Sequence, residues 1–349
     1  MKVMISSDNK FAHYYIRQGF ARVFECMGWD TVLWDINKKS AFDAFDEFEP
    51  DIFIGQTYNV NDAIIKCIKE RPYMYTFFKA SDWGVASENM DLEKYPVLVA
   101  NEKEIAMMNK MKDETGIPTS LFIHYSEYRL SDTHGHWKEN GFVVNSLLNA
   151  ADVLTFTRGK HRKEFACDIG FVGGRWGYKA QTIDKWLLPM MHPNIDLNIK
   201  LFGNQGWGVP QYCGFIEDDD VKNFFASCTI CPNISEPHSQ DFGYDIIERP
   251  FKLLANKCFV ISDSVEDLQR LIPKGIVYAK EPEEFMRSIK YFLENPEKRN
   301  EYIEAGYKDV VNNHTYFHRW AEMFTNVGQE ERGKEILVKY DEIKERLEL

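Results

Sequence analysis

The sequence predicts an α/β protein built from two doubly wound, Rossmann-like domains facing each other across a cleft. Three observations lead there. The 349 residues exceed one ordinary core and suit two domains of roughly 150 to 180 residues each. Short apolar runs alternate with helical stretches along the first half, and the same alternation starts again after a basic segment near residue 160. Strands separated by helices pair in parallel, because a parallel pair needs a long crossover.

The first domain is assigned to residues 1–165. "KVMISS" (2–7), "TVLWDI" (31–36), "DIFIGQ" (51–56), "YMYTFF" (73–78), "VLVAN" (97–101) and "TSLFIHY" (119–125) read as its strands. Helices fall between them at 11–28, ended by Gly28, and at 60–72, where Asn61 or Asp62 caps and Pro72 stops. "SDTHGHW" (131–137) reads as a mobile surface loop. Ligands of parallel sheets sit at the carboxyl ends of the strands, which directs attention to Ser6–Asp8, Ser81–Gly84 and His124–Glu127. "RGKHRKEF" (158–165) is either a solvated linker or a docking patch for an acidic acceptor.

The second domain is assigned to 166–324, and a charged amphipathic helix to 325–349. "CDIGFVGG" (167–174), "LNIKLFG" (197–203), "TICPNI" (229–234), "KCFVISD" (257–263) and "GIVYA" (275–279) are its strands, with helices between. In "FVGGRWGYKAQTID" (171–184) the strand, Gly173, Gly174, Arg175, Lys179 and a helix start could cradle a diphosphate or form an ordinary tight turn. Arg249, at the head of the helix in "DIIERPFKLLANKCFVISD", either meets a phosphate or pairs with Glu248 or Asp245. "SEPHSQDFGYD" (235–245) is a polar segment overhanging the cleft, where His238 contacts a sugar or lies in an ordinary surface loop.

Bulk properties limit the function. A formal charge of -12 opposes general affinity for nucleic acid or anionic membrane. No run approaches a membrane span, and "MKVMISSDNK" reads as a first strand rather than a signal peptide. Seven scattered cysteines point to a reducing cytoplasm. No metal site is expected: Cys228 and Cys231 read as core strand residues, Asp218 and Asp220 as helix-start residues, and His134 and His136 lack a third ligand. "SSDNKF" replaces the glycine-rich fingerprint of a nicotinamide site.

The order "DIGFVGG", "IKLFG", "ERPFKLLANKCFVISD", then "EPEEFMRSIKYFLENPEKRNEYIEAGYKDVVNNHTYFHRW" resembles the GT-B glycosyltransferases, especially the CgeB-like (spore-maturation-protein) group of glycosyl transferase family 1. "LFGN" (201–204), the Gly-Gly strand end and an arginine on the donor helix are also similar to bacteriophage DNA β-glucosyltransferases. The resemblance implies sugar transfer from a nucleotide diphosphate sugar, UDP-linked in the simplest case, to an acceptor glycan, protein or hydroxymethylated base of viral DNA. It needs no cofactor beyond that co-substrate. It implies that Arg249 contacts the diphosphate and that Asp82, after the fourth strand, is the catalytic base; from the residues alone Asp82 equally caps a turn with Gly84. It implies that His314 and His318, in the closing "HTYFHR" motif, pack or hydrogen-bond between the domains. Lys252 stands where the family has a ribose-binding glutamate and Lys257 where it has a glycine, and an ammonium cannot accept a hydrogen bond. Glu248 then supplies that contact, the donor differs, or the site has decayed into a nucleotide- or glycan-binding protein without turnover.

Overall fold

The computed structural model describes residues 1–8, 11–80, 93–95, 102–117, 119–157 and 159–349. The chain forms two compact units, residues 1–148 with 316–349, and residues 149–315. Residues 149–165 thus belong with the second unit, and the last two helices belong with the first.

The first unit runs β1 (Lys2–Ser7), α1 (Phe11–Cys26), β2 (Asp30–Asp35), α2 (Ala41–Phe48), β3 (Ile52–Gln56), α3 (Asp62–Lys69), β4 (Tyr75–Lys79), α4 (Glu102–Thr115), β5 (Thr119–Ile123), α5 (Leu130–Glu139) and β6 (Val143–Ser146). The strands pair in parallel in the order β2-β1-β3-β4-β5-β6. Asn61 caps α3 through a 3.1 Å bond from Ile64 N, as expected for an Asn before an apolar run. The expected strand at 97–101 lies outside the described residues.

"SDTHGHW" is not a loop but most of α5. Leu130, Thr133, His134 and Trp137 fall at i, i+3, i+4 and i+7 and bury one face, so tertiary packing overrides the Gly and Asp that suggested a loop. Between them Gly28 and Gly141 take positive φ at 72° and 78°, as chain reversals after helices require.

The second unit runs β7 (Cys167–Val172), α6 (Gly177–Trp186), β8 (Ile199–Phe202), α7 (Asp218–Phe225), β9 (Cys228–Asn233), α8 (Pro237–Phe242), α9 (Arg249–Ala255), β10 (Val260–Asp263), α10 (Glu266–Leu271), β11 (Ile276–Ala279), α11 (Pro282–Glu294) and α12 (Pro296–Asn313). Its parallel order is β11-β10-β9-β7-β8. Both sheets therefore reverse direction beside their first strand, between β1 and β3 and between β7 and β9. Crevices at such reversals are where doubly wound sheets bind ligands.

The chain then returns to the first unit as α13 (Tyr316–Asn326) and α14 (Glu330–Leu347). Trp320 and Phe324 of α13 pack edge-on against Phe24 of α1 and Phe77 of β4. Phe317 stacks on Tyr340, which buries the apolar stripe of the charged α14. Packing of this kind stabilises by roughly 1.5–3 kcal/mol per buried large side chain, so the C-terminal helices are core elements of the first unit.

Candidate functional site

The second unit's reversal between β7 and β9 is bridged by one side chain. Arg249, first residue of α9, donates from Nη2 to the Val172 carbonyl at 3.3 Å and from Nη1 to the Ile234 carbonyl at 3.4 Å. Its guanidinium lies 4.4 Å from the centroid of the Phe171 ring, a cation–π contact. One residue thus ties the end of β7 to the residue after β9, where a ligand of this sheet belongs. Burial pushes the guanidinium down to about 10, opposed by Glu236 and Asp263.

Gly173 is the partner that approach requires. A Cβ there would stand 2.7 Å from Arg249 Nη2 and 2.9 Å from the Phe171 ring. Gly203, ending "KLFG", would put a Cβ 2.4 Å from the Gly173 carbonyl oxygen, so three elements meet at one point. Gly174 has only ordinary contacts at 3.5 Å and is not required sterically.

The two basic residues of the Gly-Gly turn are engaged within the unit. Arg175 makes a bidentate pair with Asp184 of α6, at 2.7 and 2.5 Å, which raises its pKa. Lys179 is buried and bonds Glu236 at 3.1 Å; burial lowers its pKa. Asp263, at the end of β10, accepts from Ser235 N, Ser235 Oγ, Gln240 Nε2 and Ser262 Oγ, and burial raises its pKa against those bonds. Lys179, Arg249, Glu236 and Asp263 form a charge-balanced cluster, which is how buried ions are tolerated.

Glu236 is a site residue that pattern reading missed. It is buried, and its second carboxylate oxygen has no hydrogen-bond partner among the described residues. Its place just past the carboxyl end of β9 was the available signal.

His238 is in neither an overhanging segment nor a surface loop. It lies in α8, fully buried, with Nδ1 3.1 Å from the Tyr178 hydroxyl and Nε2 3.0 Å from Asp245. Pro237 opens that short helix and Gly243, at φ 77°, closes it, so the polar segment folds back under α6.

Glu248 and Lys252 pair with each other at 2.6 Å across one helical turn, with Lys252 Nζ 4.7 Å from the Phe156 ring centroid. Lys257 takes φ 54°, the left-handed conformation that explains the family's glycine at this place. Asp82 and Arg158 lie outside the described residues. The rest of the basic segment is tied down: Gly159, Lys160 and Arg162 donate backbone N–H bonds to Asn256, Asn223 and Ser227, and Arg162 pairs with Asp220. His314 packs on Phe251 in the second unit and His318 on Tyr340 in the first.

Residues 179–325 match the sequence model of a family described as glycosyl transferase-like. Known folds agree over nearly the whole chain. The T4 phage BGT solved with UDP and Mn2+ aligns at a TM-score of 0.55 and 14% identity, covering 100% of each chain. The chain has the GT-B fold. An α-glucosyltransferase solved with UDP-glucose and DNA gives the same GT-B overlap, at a TM-score of 0.65 and 11% identity over 94% of this chain and 99% of that one. Sucrose-phosphate synthase from Thermosynechococcus elongatus follows at 0.61 and 11%, covering 94% and 98%. No curated protein matches this GT-B sequence. Among the described residues, no group of three or more His, Cys, Asp or Glu could hold a metal, and no helix is long and apolar enough to cross a membrane.

Proposed function

We propose that this GT-B protein transfers a sugar from a nucleotide diphosphate sugar, most simply a UDP-sugar, to an acceptor hydroxyl. The observation that carries the reading is Arg249 bridging the β7/β9 reversal against Gly173. The T4 phage BGT and the α-glucosyltransferase of similar fold, solved with UDP and with UDP-glucose, support it.

In the proposed reaction the acceptor oxygen bonds to the sugar's anomeric carbon as the bond to the diphosphate breaks. The diphosphate leaves with the bonding electrons, and the acceptor proton passes to a base, for which Asp82 is the candidate. Arg249 and the Gly173–Gly174 turn stabilise the charge on the leaving group, and no metal is assigned to that task. Arg175, Lys179 and His238 serve by fixing α6 and α8 around the site. Lys252 cannot accept a hydrogen bond from a ribose hydroxyl and Glu248 is committed to it, so Glu236 is the proposed carboxylate partner of the donor. The acceptor is a glycan, a protein or a hydroxymethylated DNA base, and the location is the cytoplasm.

A thermal-shift panel of nucleotides tests the donor assignment, because a ligand of the native state alone raises the midpoint. UDP should raise Tm in the wild type and not in Arg249→Ala; an equal shift in both removes Arg249 from the site. The Glu248–Lys252 pair favours a second reading, a binding protein without turnover. That reading holds if UDP binds and no UDP is released from UDP-glucose with any acceptor.

A further inference from the structure

The amino ends of β7 and β9 carry two thiols that no role above absorbs. Cys167 opens β7 and Cys228 opens β9, and the parallel register sets these two residues directly opposite each other. Cys167 Sγ donates to Cys228 Sγ at 3.5 Å. The pair stands at the far end of the two strands whose carboxyl ends Arg249 bridges.

Gly170 makes the contact possible. A Cβ there would stand 2.0 Å from Cys228 Sγ, so the sulfur lies against the bare backbone of β7. Glycine weakens a strand interior, and where it occurs it often marks a close approach of this kind.

Two further thiols lie nearby, since Cys231 is within hydrogen-bond reach of both Cys228 and Cys258. Backbone geometry separates these contacts from one that can become covalent. A disulfide closes only where the Cα atoms stand roughly 4.4–6.8 Å apart. Residues opposite on adjacent strands are about 4.8 Å apart, which fits Cys167 and Cys228. Cys228 and Cys231 are three positions apart in one strand, a span of about 10 Å. Cys231 faces Val260, so Cys258 is two positions out of register, roughly 7–8 Å away on the diagonal.

Cys228 is the thiol that an oxidant meets first, being half-buried where Cys167 is buried. As a thiol it donates to the Phe224 carbonyl at 3.0 Å. Burial opposes its ionisation, while bonds from Cys167 and Cys231 and the Lys200 ammonium favour the thiolate, and the net effect is a lowered pKa.

We infer that Cys167 and Cys228 form a reversible disulfide when the chain meets a peroxide, locking the starts of β7 and β9 together. The Cys228 thiolate attacks one oxygen of hydrogen peroxide, the O–O bond breaks, and the other oxygen leaves as hydroxide, which becomes water on taking a proton. Cys167 Sγ then attacks the sulfenic sulfur of Cys228; the S–S bond forms, the S–O bond breaks, and the oxygen leaves as a second water with the Cys167 proton. The two thiols lose two electrons and the peroxide gains them. The sulfurs must close by only about 1.5 Å.

The test treats the full reduced chain with hydrogen peroxide, blocks the remaining thiols with iodoacetamide and maps the digest by mass spectrometry. A peptide pair joined through Cys167 and Cys228 should appear and should vanish after dithiothreitol. The oxidised chain should melt about 5 °C or more above the reduced one, because the bond closes a long loop. Cys167→Ser should show neither change. Gly170→Ala, whose methyl displaces the Cys228 sulfur, should form the bond about tenfold more slowly. Far-ultraviolet circular dichroism reports whether each variant is folded, and where neither folds the wild-type map and melting decide alone. The inference is overturned if neither thiol reacts, if Cys228 is oxidised only to sulfinic acid, or if it links to a different cysteine. It is equally overturned if the Cys167–Cys228 bond leaves Tm unchanged, or if folded Gly170→Ala closes the bond at the wild-type rate.

Discussion

Lys252 Nζ lies 2.6 Å from a carboxylate oxygen of Glu248, one turn earlier in the chain and almost fully buried. The residue that departs from the family pattern is therefore balanced by its neighbour. Restoring the family's glutamate alone, by Lys252→Glu, would set two carboxylates together out of water. We expect a loss of roughly 2–4 kcal/mol of stability, the usual cost of breaking a buried pair. The charge-reversed double variant Glu248→Lys/Lys252→Glu should recover most of it. Urea denaturation of the four proteins in the cycle gives the coupling directly, and a double variant no better than the single one would show the pair to be incidental.

Lys257 carries a backbone cost of its own. At φ 54° it occupies a region where a Cβ is disfavoured by roughly 1–2 kcal/mol. Its side chain, 3.6 Å from Glu304 and 4.4 Å from the Tyr307 ring centroid, offsets part of that from an exposed position. Lys257→Gly should therefore leave stability unchanged or raise it by up to about 1 kcal/mol, whereas Lys257→Val should lower it. A drop on Lys257→Gly would mean that the side-chain contacts outweigh the strain.

Gly203 tests whether the meeting point of β7, β8 and α9 matters for binding. A methyl group there would press on the Gly173 carbonyl oxygen, which is backbone and cannot swing aside. The turn must move, and it takes with it the space that Arg249 occupies. Gly203→Ala should weaken UDP binding about tenfold or more while the near-ultraviolet signal of the first unit's Trp320, packed on Phe24 and Phe77, is retained. Full UDP affinity in this variant would show that the turn does not touch the nucleotide.

How far the sequence could be read follows the range of each interaction. Strands such as "KVMISS" and "KCFVISD" announce themselves locally, and so do the Asn61 cap and the glycines at 28 and 173. β6 escaped because Val143–Ser146 is a four-residue edge strand with Val143 exposed, which gives no alternating signal. α5 escaped because its buried face is set by Trp137 against the core, not by propensity. At the candidate site, Gly173 stood out as a strand-end glycine, whereas Arg249 drew a nucleotide role only from the family resemblance. The partners of Lys179 and His238 were not: Glu236 is 57 residues from Lys179 and Tyr178 is 60 from His238, and only the sheet order brings them together. The return of α13 to the first unit was equally invisible, because its apolar stripe fits either core.

His124 gives the first unit a predictable response to acid. Its ring is buried against Phe20 and Phe122, bonds Leu147 through Nδ1, and is faced by Lys79, His13 and Arg17, all of which disfavour a further positive charge. Burial is the largest cause, and the folded pKa lies well below the ordinary 6.5. Below pH 6.5 the unfolded chain therefore binds a proton that the folded chain refuses, so stability is fully present above that value and falls as the pH is lowered. The slope should reach about 1.4 kcal/mol per pH unit, one proton's worth. Asp263 acts with the opposite sign, since its folded pKa is raised above 3.8, and its window begins at more acidic pH. Asp263 contributes equally in the wild type and in His124→Gln, so the difference between the two proteins in urea unfolding over about pH 5.0 to 7.5 isolates the histidine. The wild type should lose stability toward pH 5, and His124→Gln, which keeps a donor for Leu147 and has no titrating group, should lose less by about one proton. Equal slopes in the two proteins would place the acid sensitivity on another residue.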